Sequence, residues 1–282
     1  MDIYICYNAI SYSIAHALAR RGLSLIVYDD LRLVKKPTRY ALQIGLGERA
    51  FRLLRRLVAF RAVGTVYLPH HIHAPAIQEA AAVARAIHYL DDGLDTLRNR
   101  PRNFNLENYS PESALYTFFE YQKLGDWLTG RDVRRVASFR DYPEFELLRS
   151  NIISVRGATV VIESAGLSHV DLGRLGPDAI VFGHPNPQKN HPERASRVLR
   201  EKFNVERSLC AEPARRVFVG ESIALFYLLH FNPFPQTEIF VYLDDPGNFT
   251  SVAPLIASQP NVTLMDDAFF KENALSVSAV RA

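Results

Sequence analysis

Three short motifs in this sequence contain residue types that suit acid–base chemistry and phosphate binding. They are Asp91-Asp92-Gly93, His184-Pro185 and Gly220-Glu221-Ser222. Each follows a short apolar run that is typical of a buried strand. Because ligands of open α/β sheets bind outside the carboxyl ends of strands, the three motifs are candidate ligand-binding positions.

The acidic motif combines two carboxylates with a residue that allows a sharp turn. Gly93 is expected to leave both side chains at the end of a strand. A positioned carboxylate that takes a proton from a hydroxyl typically contributes ~10²- to 10⁴-fold to a rate, and Asp92 is the predicted base. Asp91 is expected to have a supporting role, since two carboxylates that share a buried site repel each other. The alternative is a pair that simply ends a strand in a solvated loop.

The acidic motif has an echo later in the chain. Tyr89-Leu90-Asp91-Asp92 and Tyr242-Leu243-Asp244-Asp245 both place an acidic pair after an apolar run. Both pairs are candidates for a ligand site at a strand end, and for both the solvated loop is the simpler interpretation.

The other two motifs suit a phosphate group. Pro185 restricts the backbone after His184, so the imidazole is expected to project from a strand end as a donor. Ser222 precedes an apolar helical run, where free amides and a partial positive charge favour an anion, and Gly220 permits close backbone approach. The simpler alternatives are a locally bonded histidine and an ordinary N-cap serine.

In this order the motifs resemble those of bacterial sialyltransferases with the two-lobed glycosyltransferase B fold. The shared signatures of that family are an acidic-acidic-Gly motif, a His-Pro motif and a Ser-containing motif. The polysialyltransferase and lipooligosaccharide sialyltransferase branches are the most similar. The resemblance covers residues 89–222 by motif, and its specificity lies in the combination, because each motif is short. Glu221 departs from the pattern, since the related enzymes commonly have a small hydroxyl residue there.

The resemblance implies a metal-independent, inverting transfer of sialic acid from CMP-sialic acid to a saccharide hydroxyl of a capsule, lipooligosaccharide or other cell-surface glycan. Asp92 would be the base, supported by Asp91. His184 and Ser222 would hold the departing phosphate, with Gly220 and Pro185 shaping the donor site, and Glu212 would contact the nucleoside. Glu212 is equally well interpreted as a solvated surface residue.

Two other functions remain open at this point. Transferases of 3-deoxy-manno-octulosonic acid (Kdo) also use CMP donors and carry similar His-Pro elements. A non-catalytic capsule or envelope assembly protein that retains the fold is the alternative from another class, and Glu221 motivates it.

The order of apolar runs and helical patterns predicts an α/β fold. The expectation is two Rossmann-type lobes with a cleft between them: residues 1–150 for the acceptor and residues 151–282 for the CMP-sugar. Predicted strands lie at Ile3–Tyr7, Ser24–Tyr28, Gly64–Leu68, Ala86–Leu90, Thr159–Ile162, Ala179–Gly183, Arg216–Gly220, Glu238–Leu243 and Val262–Met265. Predicted helices lie at Ser11–Arg21, Ala76–Arg85, Ser113–Leu128, Glu193–Phe203 and Ser222–Phe231.

Composition sets the broad class. A formal charge of +3 over 282 residues is too small to indicate nucleic acid as the main partner. Only two cysteines occur, far apart in sequence, which predicts a cytoplasmic protein without disulfides. The first residues lack a secretory signal and no apolar run reaches the ~18 residues of a membrane span, so any membrane contact is expected to be peripheral, at the inner face.

The strongest local charge bias lies between Leu31 and Arg61. Nine basic residues stand there against one acid, Glu48: Arg32, Lys35, Lys36, Arg39, Arg49, Arg52, Arg55, Arg56 and Arg61. Apolar residues recur at helical spacing among the last of these, which predicts an amphipathic helix over Glu48–Phe60. Arg49, Arg52, Arg55 and Arg56 are candidates for contact with an anionic membrane or an acidic glycan, and the alternative is a solvated basic face.

Overall fold

The computed structural model describes residues 1–19, 23–29, 38–69, 74–99, 112–119, 121, 123–136, 152–162, 167, 179–183, 198–199, 205–231, 234–243 and 245–266. The chain divides into two compact units, Met1–Arg149 and Ser150–Ala282. The division lies one residue from the predicted domain boundary.

The first unit contains a parallel sheet. Its described strands are β1 Asp2–Cys6, β2 Ser24–Tyr28, β3 Ala41–Gly45, β4 Thr65–Leu68, β5 Ala86–Leu90, β6 Leu115–Thr117 and β7 Val133–Arg135. Their order is β3-β2-β1-β4-β5-β6-β7, and every neighbouring pair is parallel. Its described helices are α1 Ala9–Leu18, α2 Glu48–Ala59 and α3 Pro75–Ala82, with 3-10 turns at Leu94–Leu97 and Asp126–Leu128.

Apolar side chains explain why these segments form a sheet with helices on it. Ile3 and Val66 project from neighbouring strands and are fully buried in one cluster with Leu54 of α2 and Ile77 of α3. Strands β1 and β2 are buried almost along their whole length, which is typical of parallel strands covered on both faces. The sheet is therefore the centre of the unit, and its strand ends carry the polar residues.

The second unit contains another parallel sheet. Its described strands are β8 Thr159–Ile162, β9 Ile180–Phe182, β10 Val198–Leu199, β11 Arg216–Val219, β12 Glu238–Tyr242 and β13 Val262–Met265. Their order is β10-β9-β8-β11-β12-β13, again with parallel pairs only. Its described helices are α4 Val205–Ala211, α5 Ile223–Phe231 and α6 Ala253–Ala257, with a 3-10 turn at Pro246–Phe249.

Both sheets have the doubly wound strand order. Numbered within its own unit, each reads 3-2-1-4-5-6, and the first continues with a seventh strand. The order reverses between β1 and β4 in the first unit and between β8 and β11 in the second. Ligands of such sheets bind at the carboxyl ends of the strands beside the reversal. The predicted α/β class with Rossmann-like sheets is confirmed.

All nine predicted strands are confirmed within a residue at each end, but two predicted helices are not. The helix predicted over Ser113–Leu128 is wrong, because Leu115–Thr117 forms β6 and pairs with β5. Val198–Leu199, inside the helix predicted over Glu193–Phe203, pairs with β9 as a strand. In both places pairing with the neighbouring strand overrides the local helical pattern. The amphipathic helix predicted over Glu48–Phe60 is confirmed as α2.

Among the described residues, the helices are too short or too polar to cross a bilayer.

Candidate functional site

The acidic motif follows β5 at the carboxyl edge of the first sheet. Asp91 still donates its backbone N–H to Tyr116 O (3.0 Å), which continues the pairing of β5 with β6. Gly93 then has a φ of 90°, a conformation that glycine adopts without strain. Its N–H turns back to Asp91 Oδ1 at 2.8 Å. The glycine is therefore required both for the turn and for the contact with the first carboxylate.

Asp91 is fully buried, and donors surround its carboxylate. Oδ1 accepts from Gly93 N–H (2.8 Å) and from the Thr96 hydroxyl (2.7 Å). Oδ2 accepts from the hydroxyls of Thr117 and Tyr121, each at 2.5 Å. A carboxylate has about four acceptor positions, so these four donors occupy them. Asp91 is thereby a structural centre that joins the loop after β5 to the segment after β6.

Burial and hydrogen bonding act in opposite directions on Asp91. Burial raises the pKa of its carboxyl and the four donors offset part of this rise, which leaves a net pKa of about 6. Burial also raises the pKa of Tyr121 well above its usual value, so the phenol remains a proton donor to Asp91. The site therefore contains a carboxylate that carries its charge at neutral pH at a cost in stability.

Asp92 occupies a different environment from Asp91. It is 7% exposed, and its Oδ1 accepts from the Tyr89 hydroxyl at 2.9 Å. Its backbone carbonyl accepts from Asn8 Nδ2 at 3.0 Å. Tyr89 is itself held by Trp127, whose ring meets it edge-on with centroids 4.8 Å apart. Side chain and backbone of Asp92 are thus both positioned from outside the motif, while part of the residue reaches the surface.

Asn8 connects the acidic motif to the reversal of strand order. It follows β1 and caps α1, where its Oδ1 accepts from Ser11 N–H at 3.0 Å. Its amide nitrogen is left to hold Asp92. One side chain thus fixes the beginning of α1 and the loop after β5 to each other. The carboxyl ends of β1 and β5, on either side of β4, belong to one site.

A close backbone contact forms the wall behind the site. Gly125 donates its N–H to Thr96 O at 3.1 Å. A Cβ at this position would lie 1.8 Å from Arg98 O, so only glycine fits. The segment after β6, which supplies Tyr121 and Trp127, can therefore lie directly on the loop after β5.

In the second unit, the described part of the Ser motif lies at the carboxyl edge beside the reversal of strand order. Gly220 is buried at the end of β11, and Ser222 begins α5. The Ser222 hydroxyl accepts from Leu225 N–H at 3.4 Å, a long N-cap bond. Residues 224–229 of α5 are buried, so its N-terminus is held firmly at this edge. This is a geometry in which a helix can present amides to an anion.

Of the other predicted donor residues, only Glu212 is described, and it lies at the opposite edge of the sheet. His184 and Pro185 lie outside the described residues, and the chain is described as far as Gly183, directly after β9. Glu212 precedes β11, at the amino edge of the sheet, where its carboxylate accepts from the Ser154 hydroxyl. That bond lowers the pKa of Glu212. The length of β11 separates Glu212 from Gly220 and Ser222.

Sequence reasoning missed much of what surrounds the acidic pair. Asn8, Thr96, Thr117, Tyr121 and Gly125 have no spacing that connects them to residue 91. Tyr89 stands two residues before the pair, but an aromatic residue at the end of a buried strand is usually part of the core. Only Asn8 offered a local signal, as a helix N-cap before an apolar run.

The arrangement can support proton transfer more readily than cation binding. Both oxygens of Asp91 face protons, so it has no acceptor position left for a cation. Asp92 is 7% exposed, and its Oδ1 accepts from the Tyr89 phenol at 2.9 Å and from the Thr96 hydroxyl at 3.5 Å. A carboxylate held in this way is positioned to accept a proton.

No protein-family profile matches the chain, and no curated protein matches it in sequence.

Proposed function

We propose that the chain is an inverting glycosyltransferase of the glycosyltransferase B type that moves sialic acid from CMP-sialic acid to a saccharide hydroxyl. The first unit would bind the acceptor and the second the CMP-sugar. The proposal rests on the motif resemblance together with one structural observation, the different environments of Asp91 and Asp92.

That difference matches what a general base needs. A base must be fixed in position and must be reachable by substrate. Asp92 is fixed by Tyr89 and Asn8 and reaches the surface. Asp91 is enclosed by four donors and holds the loop. A strand-terminating pair in a solvated loop would have neither the burial nor the donors.

The proposed reaction is a single displacement. The acceptor hydroxyl oxygen forms a bond to the anomeric carbon, and its proton passes to Asp92. The bond from that carbon to the CMP phosphate oxygen breaks, and the electron pair leaves with CMP. Ser222 and the amides of α5, together with His184, would stabilise the charge that develops on the phosphate.

The two Rossmann-like sheets support the fold part of the proposal. Two doubly wound units in one chain are what a glycosyltransferase B architecture requires. Four of the candidate residues follow strands at the carboxyl edges of their own sheets: Asp91, Asp92, Gly220 and Ser222. The same edges bind mononucleotides in other doubly wound proteins.

Release of CMP is the direct test. Purified protein would be incubated with CMP-sialic acid or CMP-Kdo, with and without a glycan acceptor, and free CMP measured. Acceptor-dependent release from CMP-sialic acid is the expected result. Release only from CMP-Kdo would change the donor and keep the fold, and no release from either donor, with CMP-sugar binding retained, would make the chain a binding protein.

A leaving-group comparison tests the role of His184. We expect His184→Ala to lower turnover with the CMP donor and to recover much of the rate with a donor that carries a better leaving group. An equal deficit with both donors would contradict a role in leaving-group stabilisation.

A further inference from the structure

Large apolar side chains are exposed along the amino edge of the first sheet, opposite the acidic motif. Leu23 directly precedes β2 and is 75% exposed, Phe60 follows α2 and is 79% exposed, and Val83 follows α3 and is 48% exposed. Monomeric proteins rarely expose several large apolar side chains together without a partner. We call these three residues the apolar band.

Backbone contacts place the apolar band in one region. The strands β1, β2 and β4 begin side by side, because Asp2 pairs with Ser24 and accepts from Thr65 N–H at 3.0 Å. The turn after Phe60 lies against Met1, whose amino group donates to Ala62 O at 2.9 Å. Arg85, two residues after Val83, donates its N–H to Gly64 O at 2.9 Å. Leu23 thus lies beside the start of β2, while the turns after Phe60 and Val83 lie beside the starts of β1 and β4.

Positive charge surrounds the apolar band. α2 begins after the carboxyl end of β3 and ends before the start of β4, so its last turn reaches the amino edge. Arg56 in that turn, Arg61 in the following turn and Arg85 before β5 are all exposed. Two described acids lie in this region: Asp2 accepts from Thr65 N–H, and Glu79, one helical turn before Val83, lies 3.6 Å from Arg55. Exposed apolar side chains among arginines match the chemistry of an anionic bilayer, where apolar groups enter the interface and arginines bind phosphates.

We infer that the amino edge of the first sheet docks on an anionic lipid membrane through Leu23, Phe60 and Val83, with Arg56, Arg61 and Arg85 at the phosphate level. This differs from contact along the outer face of α2. That face presents Arg49, Arg52 and Arg55 without exposed large apolar neighbours, and Arg52 and Arg55 already lie 3.8 Å and 3.6 Å from Glu48 and Glu79. The apolar band favours lipid over an acidic glycan, because a hydrated polysaccharide offers no apolar medium for Phe60.

Docking at the amino edge leaves the carboxyl edge of the same sheet free. Asp92 stands beyond the far end of β5 from the apolar band. Membrane binding and transfer to a soluble acceptor are therefore separable. A substitution in the apolar band is expected to lower membrane binding and to leave transfer to a soluble acceptor unchanged. The inference does not depend on the proposed function, since vesicle binding is measured without any substrate.

Vesicle cosedimentation of the full chain tests the inference. We expect binding to vesicles of phosphatidylglycerol and phosphatidylcholine, and little binding to phosphatidylcholine alone. The double variant Leu23→Ser, Phe60→Ser should lower the partition coefficient by about tenfold or more, because each removes an apolar side chain from the interface. Leu264→Ser is the control, since this residue is 40% exposed but belongs to the second unit.

A matched charge comparison locates the surface. Two double variants change the net charge equally: one combines Arg56→Glu with Arg61→Glu, and the other combines Arg49→Glu with Arg52→Glu. Only the first pair lies beside the apolar band. We expect the first pair to lower binding by about tenfold or more and the second by much less. Melting temperatures near that of the wild type would show that the variants remain folded.

Three results would overturn the inference. The first is that the Leu23, Phe60 double variant binds anionic vesicles as strongly as the wild type does. The second is that both arginine pairs lower vesicle binding equally, and the third is that the wild type does not bind anionic vesicles. If the apolar band instead mediates self-association, the wild type will elute as a dimer in gel filtration without lipid, and Phe60→Ser will elute as a monomer. A soluble anionic polysaccharide that binds the wild type but not Phe60→Ser would overturn the lipid assignment and assign the band to a glycan.

Discussion

The tetrapeptide Tyr-Leu-Asp-Asp occurs at the end of the fifth strand in both sheets, yet the second aspartates of the two copies, Asp92 and Asp245, have different environments. After β5, Asp91 and Asp92 are buried and receive hydroxyl and amide donors. After β12, Asp245 is exposed and makes no side-chain capping bond to the 3-10 turn that follows. The same letters at equivalent topological positions thus end in different chemistry.

The residues that follow each copy explain the difference. Gly93 turns the first loop back on itself, so that its N–H reaches Asp91. Thr117 and Tyr121 then close over the carboxylate from the segment after β6. In the second copy the residue after the acidic pair is Pro246, which has no N–H to donate and begins the 3-10 turn Pro246–Phe249. An acidic pair becomes a candidate site only where the fold supplies donors from elsewhere.

The largest expected effect concerns Asp92. We expect Asp92→Asn to lower turnover by at least about 10²-fold with the protein still folded, because a general base is lost. Asp245→Asn, the matched change in the second copy, should leave turnover unchanged. CMP release with a saturating acceptor measures both. Near-normal turnover of Asp92→Asn would move the base elsewhere or remove the proposed mechanism.

The next largest effect is on the wall of the site. Gly125→Ala places a Cβ 1.8 Å from Arg98 O, so backbone must move. We expect a loss of about 3 kcal/mol in the free energy of unfolding, the upper range of overpacking. Gly157→Ala is the control, because its φ of 68° is unfavourable for alanine but no atom lies within 4 Å. That control should lose about 1 to 2 kcal/mol, and urea unfolding compares them.

A pH titration of stability tests the burial of Asp91. Its folded pKa of about 6 exceeds the ordinary value of 3.8, so the folded state binds the proton more tightly. The stability that this proton contributes is fully present below about pH 4 and is lost as the pH rises through 6. Each pK unit corresponds to about 1.4 kcal/mol, so the difference amounts to about 3 kcal/mol.

Asp91→Asn isolates this contribution from the other acids. We expect the wild type to gain up to about 3 kcal/mol relative to Asp91→Asn as the pH falls from 7 to 4. The asparagine fits because the hydroxyls of Thr117 and Tyr121 can rotate to accept from its amide. Unfolding free energies at several pH values measure the difference. A constant difference would mean that Asp91 titrates near its ordinary value.

The sequence predicted the sheets better than the site, and particular residues explain why. Strands such as Ser24–Tyr28 are continuous apolar runs, so composition alone marks them. Strand β6 was missed because Leu115–Thr117 is three residues long and owes its conformation to pairing with β5. The pair at 91 and 92 was visible as a motif, but Tyr121 and Asn8 reach it across 30 and 84 residues. Contacts of that range have no local pattern.

A smaller effect is expected for Tyr89, whose hydroxyl donates to the second aspartate of its own copy, Asp92. Tyr89→Phe removes the donor to Asp92 Oδ1 but keeps the ring against Trp127. We expect kcat to fall by about tenfold with KM unchanged, since a hydrogen bond to a charged group is lost while binding surfaces remain. Tyr242→Phe should leave both constants unchanged. A Tyr89→Phe enzyme with normal kcat would show that Asp92 is positioned by its backbone alone.

The smallest expected effect is that of removing divalent cations. This expectation follows from the four hydrogen-bond donors that occupy the acceptor positions of Asp91. A site that holds Mg²⁺ through an acidic pair needs carboxylate oxygens with acceptor positions to spare. Both oxygens of Asp91 already accept two hydrogen bonds, and an added cation would displace the Thr117 and Tyr121 hydroxyls. Transfer should therefore survive saturating EDTA at close to its full rate, with modest stimulation by Mg²⁺ attributable to CMP release. Asp245, exposed after β12, offers a weak surface position at most, so Asp245→Asn should not alter the response. Complete loss of transfer in EDTA, restored by Mg²⁺ or Mn²⁺, would contradict the assignment of Asp92 as a base and make the first acidic pair a cation site.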